Sequence, residues 1–144
     1  LGAISHGRLP TQKCSQPSCG LKICRKMGDY VSCSLQFMLS YFNFQGIPRK
    51  ELEIKLFGGA LMFSFPGKKE KSNTIGKRNV EMAMDVIRKE RLHLTASDVG
   101  GPWGRKIVFN TSTGEVNLQR LRKSSNELAV MSGEYVDRQG VGYE

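Results

Sequence analysis

A chain of 144 residues is long enough for one domain with a proper core, and 39% hydrophobic with 24% charged residues is an ordinary globular balance. No apolar run approaches the length of a membrane span and no signal peptide is visible, so membrane insertion is set aside and a cytoplasmic location is expected. Lysine and arginine number 22 against 13 acidic residues, a net charge of +9 that favours an acidic partner, but the cations are scattered in small groups rather than gathered with aromatic residues, which argues against nucleic acid.

Leu1–Pro10 reads as a short strand, with Ile4 and His6 on one side and Ala3 and Ser5 on the other. Gly7 and Pro10 would close it, since proline cannot continue a ladder. His6 then sits near a strand end, a frequent place for chemistry in α/β folds, although a lone histidine there also has a plain structural reading. The chain starts at leucine rather than methionine, which points to a segment before it that was removed or left out.

Thr11 to Lys26 is polar and cysteine-bearing, suited to a surface excursion. The cysteines stand at 14, 19, 24 and 33, and with no secretory signal reduced thiols are expected. The five-residue step from Cys14 to Cys19 to Cys24 differs from the gaps of about two to four residues usual in thiolate metal sites. Free thiols and a metal bridged across the loop both stay open; no metal or cofactor is assigned.

A helix follows from Gly28-Asp29 to about Gln45, with Asp29 as N-cap, an apolar face of Val31, Leu35, Met38, Leu39 and Phe42, and a stop at Gly46 and Pro48. Glu51 to Phe57 alternates as a half-buried strand, Leu52, Ile54 and Leu56 inward, and runs into Gly58-Gly59. Ser64 to Ser72 reads as a polar loop. Asn73 or Thr74 starts a second helix whose inward stripe is Val80, Ala83, Met84 and Ile87. Its opening turn, Ile75 to Asn79, offers N–H groups and two cations; an anion or carbonyl site and ordinary capping explain it equally well. Leu92 to Asp98 is the next strand, ending at Gly100-Gly101. Lys106–Asn110 and Glu115–Leu121 form a hairpin in which Ile107, Phe109, Val116 and Leu118 pack together. His93 reads as structural, and the pattern fades from Arg122 onward.

Neither glycine pair matches a nucleotide fingerprint, and neither Gly-x-Ser-x-Gly nor His-Glu-x-x-His occurs. A dehydrogenase, a P-loop ATPase and a zinc peptidase are thereby set aside.

Taken in order, Gly2-Ala3-Ile4-Ser5-His6 with Leu9-Pro10, Gly58-Gly59-Ala60-x-Met62-Phe63, Ile75-Gly76-x-Arg78-Asn79, and Asp98-x-Gly100-Gly101 with Gly104-Arg105-Lys106 and Thr113-Gly114 resemble the CheD family of chemoreceptor glutamine deamidases. The resemblance covers residues 1–122 as a deamidase domain and leaves 123–144 as a tail of unassigned role. It implies a layered α/β/α sandwich with a mixed sheet, similar to the catalytic domain of the cytotoxic necrotizing toxins. It also implies hydrolysis of glutamine side-chain amides on chemoreceptor cytoplasmic helices, with release of ammonia, by a cysteine nucleophile and a histidine base. His6 matches the family histidine; Gly58, Gly59, Arg78 and Asn79 are carried as positions that shape the substrate site. The family cysteine lies upstream in a Gly-Ser-Cys segment, and none of Cys14, Cys19, Cys24 or Cys33 matches it, so the nucleophile is expected outside this sequence. The family's CheC-type phosphatase is a further implied partner, and a non-catalytic module binding CheC or receptor helices is the alternative function.

Overall fold

The computed structural model describes residues 1–11, 24, 26–61 and 74–121. The cysteine-bearing stretch around Cys14 and Cys19, the loop from Ser64 to Ser72 with Met62 and Phe63, and the tail from Arg122 lie outside the described residues.

The fold is mixed α/β. A 3-10 turn at Met27–Asp29 leads into α1, Val31–Phe44; a second 3-10 turn at Arg49–Glu51 leads into β1, Glu53–Gly58. Helix α2, Ile75–Lys89, then connects β1 to β2, His93–Val99, and β3, Gly104–Phe109, is followed by β4, Val116–Leu121. Strands β1 and β2 pair in parallel, so β1–α2–β2 is a crossover unit with the helix as the long connection that parallel pairing requires. Strands β3 and β4 form the expected antiparallel hairpin, with Ile107 opposite Leu118 and Phe109 opposite Val116.

The two helices pack on each other and on the parallel pair. Leu39, Leu52, Ala83, Val86, Ile87 and Leu92 are buried, with Leu35, Phe42, Ile47, Ile54, Leu56, Met82, Met84 and Leu94 packed around them. The inward stripes of both helices are thus where the spacing put them, with Val86 added and Val80 and Met84 half-buried. On its outer side α1 presents Phe37, Tyr41 and Phe44 to solvent.

Both helices end the same way. Gly46 (φ +76°) follows the α1 cap, its N–H donating to the Asn43 carbonyl while the Ile47 N–H donates to Phe42. Arg91 (φ +53°) follows the α2 cap, its N–H donating to Arg88 and that of Leu92 to Ile87. These are paired 6→1 and 5→2 closures that satisfy the last helical carbonyls. The start of α2 is capped by Thr74, whose hydroxyl oxygen accepts the Lys77 N–H (3.2 Å).

Two local expectations are corrected. Leu1–Pro10 is not a strand: only an isolated bridge joins Leu9 to Tyr30, and no ladder among the described residues pairs with 1–7. Alternation of side chains signals two faces, but a strand also needs a neighbour to bond its backbone. Asp29 does not cap α1. It lies in the 3-10 turn, the cap position is Tyr30, and the Asp29 carboxylate is taken by the Arg8 guanidinium (2.6 Å).

Candidate functional site

The carboxyl ends of the parallel strands carry the glycine pairs. The Gly100 N–H donates to the Gly58 carbonyl (2.8 Å) and the Leu61 N–H to the Gly101 carbonyl (2.8 Å), so the two loops are stitched together. This is the end of a parallel sheet at which α/β folds place their sites.

The Gly58-Gly59 loop leans on the first turn of α2. Gly59 holds φ +67°, and a Cβ there would collide with Val80 Cγ2 and stand 2.9 Å from the Gly76 carbonyl oxygen. A Cβ on Gly76 would be 2.8 Å from the Gly59 carbonyl oxygen and 2.9 Å from that of Ala60. Two backbones touch here, which only this pair of residues permits. The close approach accounts for the glycine in each motif without any ligand.

The same helical turn holds the histidine segment. The Asn79 side-chain nitrogen donates to the Arg8 carbonyl oxygen (3.0 Å) and lies 3.4 Å from that of Gly7, the two residues after His6. Asn79 Oδ1 is buried and has no hydrogen-bond partner among the described residues, an arrangement that costs about 1–3 kcal/mol. On the other side, the Arg8 and Leu9 N–H groups donate to the Asp29 carbonyl (2.9 Å each) and the Val31 N–H donates to Leu9 (2.8 Å). His6 itself is exposed. Arg78 is also exposed on the first turn of α2, its backbone N–H donating to Thr74.

The expected site positions therefore lie on or against the start of α2. His6, through the backbone that follows it, Asn79, and the Gly58-Gly59 loop all converge on the first turn of α2, which also carries Arg78. The described thiols show no such convergence. Cys24 and Cys33 are half-buried, and Cys33 lies within α1 with its sulfur 3.9 Å from the Ser32 hydroxyl. No group of three or more metal-ligating side chains occurs among the described residues.

A polar network missing from the sequence reading braces the loops from behind. Arg105 is nearly buried, and its guanidinium donates to Asp98 Oδ1 (3.0 and 2.6 Å), to the Trp103 carbonyl (2.9 Å) and to the Gly58 carbonyl (3.3 Å). Arg120 donates to Asp98 Oδ2 (3.0 and 2.6 Å). Hydrogen bonds from Arg105, then from Arg120, hold the Asp98 carboxyl below the usual carboxylate range. Arg105 and Arg120 face each other across the β3–β4 ladder, a like-charge pairing that Asp98 between them makes favourable. Lys55 completes the brace by donating to the Gly114 carbonyl in the hairpin turn (2.6 Å). The register of the hairpin was a partial signal, because it sets Arg105 opposite Arg120, but the placing of Asp98 between them is tertiary.

The family model described as CheD chemotactic sensory transduction matches residues 11–120. The chain is 43% identical over 99 residues to a probable chemoreceptor glutamine deamidase CheD 2 of Geobacter sulfurreducens, covering 66% of this chain and 58% of that protein. It is 35% identical over 127 residues to a probable chemoreceptor glutamine deamidase CheD of Maridesulfovibrio salexigens, covering 85% and 71%. To the chemoreceptor glutamine deamidase CheD of Halalkalibacterium halodurans it is 34% identical over 99 residues, covering 69% and 60%. The chain thus spans between 58 and 71% of the length of these relatives. With a family match over most of its length and the motif positions converging on one helical turn, the chain belongs to the CheD family.

Proposed function

We propose that this chain is the histidine-bearing part of a protein-glutamine deamidase acting on chemoreceptor cytoplasmic helices. The observation that carries the reading is the convergence of the His6 segment, the Gly58-Gly59 loop and the Arg78-Asn79 pair on the first turn of α2. The names of the relatives support it.

In this reading His6 takes the proton of a cysteine thiol supplied from before Leu1, and the thiolate attacks the glutamine carbonyl carbon. The tetrahedral intermediate collapses as the imidazolium protonates the departing nitrogen, which leaves as ammonia. Water, deprotonated by the same imidazole, then attacks the thioester, giving glutamate and the free thiol. Backbone N–H groups of the glycine-rich loops are the donors available to the oxyanion. The positive charge of the chain suits receptor helices carrying glutamate.

The deamidase domain is proposed to run from residue 1 to about 122, and its place is the cytoplasm, where receptor helices are reachable. No helix among the described residues is long and apolar enough to cross a membrane. Binding of a CheC-type phosphatase at the same face is a further part of the proposal.

The test is ammonia release from a purified receptor cytoplasmic fragment, with glutamate formation read by mass spectrometry. His6→Gln in the full-length protein should lower kcat by about 10³-fold, the range of a lost general base. Unchanged release would remove His6 from the chemistry, and no release from the parent protein would leave a module that only binds receptors or CheC.

A further inference from the structure

The Asn79 side chain spends its amide on a contact that helix packing does not require. Its nitrogen reaches across 72 residues of sequence to the carbonyls of Gly7 and Arg8. Both partners are oxygens, so the nitrogen must be the atom that faces them and the amide cannot be turned round. The consequence is the buried, unpartnered Oδ1. An apolar side chain would fill the space without that orphaned acceptor. Asn79 is thus a locally unfavourable choice for stability, and such choices gather where a site must be held in shape.

What it holds is the backbone directly after His6. On the opposite side that backbone is gripped by the start of α1. Besides the bonds from Arg8 and Leu9 to Asp29, Gly7 is pressed so closely on Val31 that an added Cβ would lie 2.6 Å from Val31 Cγ2 and 2.8 Å from its N. The segment therefore runs between two helix starts, with Asn79 as the grip on the α2 side. The imidazole is exposed and draws no aim from packing, so the main chain beneath it decides where it points.

We infer that Asn79 is the positioning residue for His6, acting through the Gly7 and Arg8 carbonyls rather than by touching substrate. The inference rests on the reading of His6 as general base. A base must stand within hydrogen-bond reach of the proton it takes, and a misplacement of about 1 Å costs on the order of 100-fold in rate.

Asn79→Asp tests this with almost no change of shape: an oxygen replaces the donor and faces two carbonyl oxygens. Asn79→Ala removes the donor altogether, and Asn79→Ser, too short to reach Arg8, serves where either of the others fails to fold. In the full-length protein, the imidazole NMR signals of His6 and His93 are assigned through His6→Gln and His93→Gln. The Asn79 variants should shift or broaden the His6 signal and leave His93, on β2, where it was. Ammonia release should show kcat down by about 100-fold with KM within about threefold, the pattern of a lost transition-state geometry. An unmoved His6 signal overturns the inference whatever kcat does. A His93 response as large as that of His6 also overturns it, by showing a general loosening. If the parent protein releases no ammonia yet His6 responds to Asn79→Asp alone, the deamidase reading fails while the positioning of His6 stands.

Discussion

The β1–α2–β2 unit and the segment from Leu1 to Thr11 are held in place by different forces. The first is a product of burial: together with Leu39 of α1, Leu52, Val86, Ile87 and Leu92 form the core it packs around, and the glycine pairs let its loops and helix start touch. In the second, Leu1, Ile4 and Leu9 are exposed, Pro10 is buried, and the attachment is mostly backbone hydrogen bonding to Asp29, Val31 and Asn79. A hydrophobic core resists change cooperatively, whereas a few polar tethers can open locally without unfolding the rest. The contrast suits a site in which a rigid support carries a histidine whose position is set separately.

The same substitution made in each region is the strongest way to break that contrast. Gly59→Ala adds a methyl group against Val80 and the Gly76 carbonyl at a positive φ, and should lower the unfolding free energy by about 3 kcal/mol. Gly7→Ala also meets backbone, at Val31, but the segment can lift away, so the loss should stay under about 1 kcal/mol. Urea titration reads both. Equal losses would mean that the His6 segment is as much a part of the cooperative core as the glycine loops.

How much of this was legible in the sequence follows the same division. The inward faces of α1 and α2 and the hairpin register came through, because burial writes a periodic signal that a single segment carries. The first ten residues misled because alternation of Ile4 and His6 with Ala3 and Ser5 says nothing about whether a partner strand lies alongside. Asp29 looked like a cap from its residue type, yet Arg8, 21 residues earlier, takes its carboxylate. Asn79 could be marked as a motif position, but its reach to Gly7 and Arg8 is a tertiary fact. The clasp of Asp98 by Arg105 and Arg120 likewise exists only once β2 and the hairpin are placed together. Polar tethers between distant residues have no period, and so no local signature.

That clasp gives an intermediate effect, with a pH signature. The Asp98 carboxyl lies below its ordinary value in the folded protein, so it adds stability that is fully present above the unfolded value of about 3.9 and is lost as pH falls below it. Asp98→Asn should therefore melt at a lower temperature than the parent at pH 7, with the gap narrowing as the pH is taken below about 4. A gap that stayed constant between neutral and acid pH would show that the carboxylate charge is not what braces the Gly58 loop.

The smallest effect concerns strain far from the histidine. Gly46 and Arg91 occupy the same position after their helices, and both have positive φ, but only glycine does so without a steric penalty. The left-handed conformation costs a side-chain-bearing residue about 1 kcal/mol, and glycine returns part of that gain through its freer unfolded state. Arg91→Gly should accordingly stabilise by about 0.5 kcal/mol and raise Tm by roughly 1–2 °C. Arg91 is exposed, so little else is lost with the side chain. Because the site stands at the opposite end of α2, ammonia release should not change. A stabilised variant with altered kcat would mean that strain at the end of α2 is felt at its first turn, and that the support is less rigid than its packing implies.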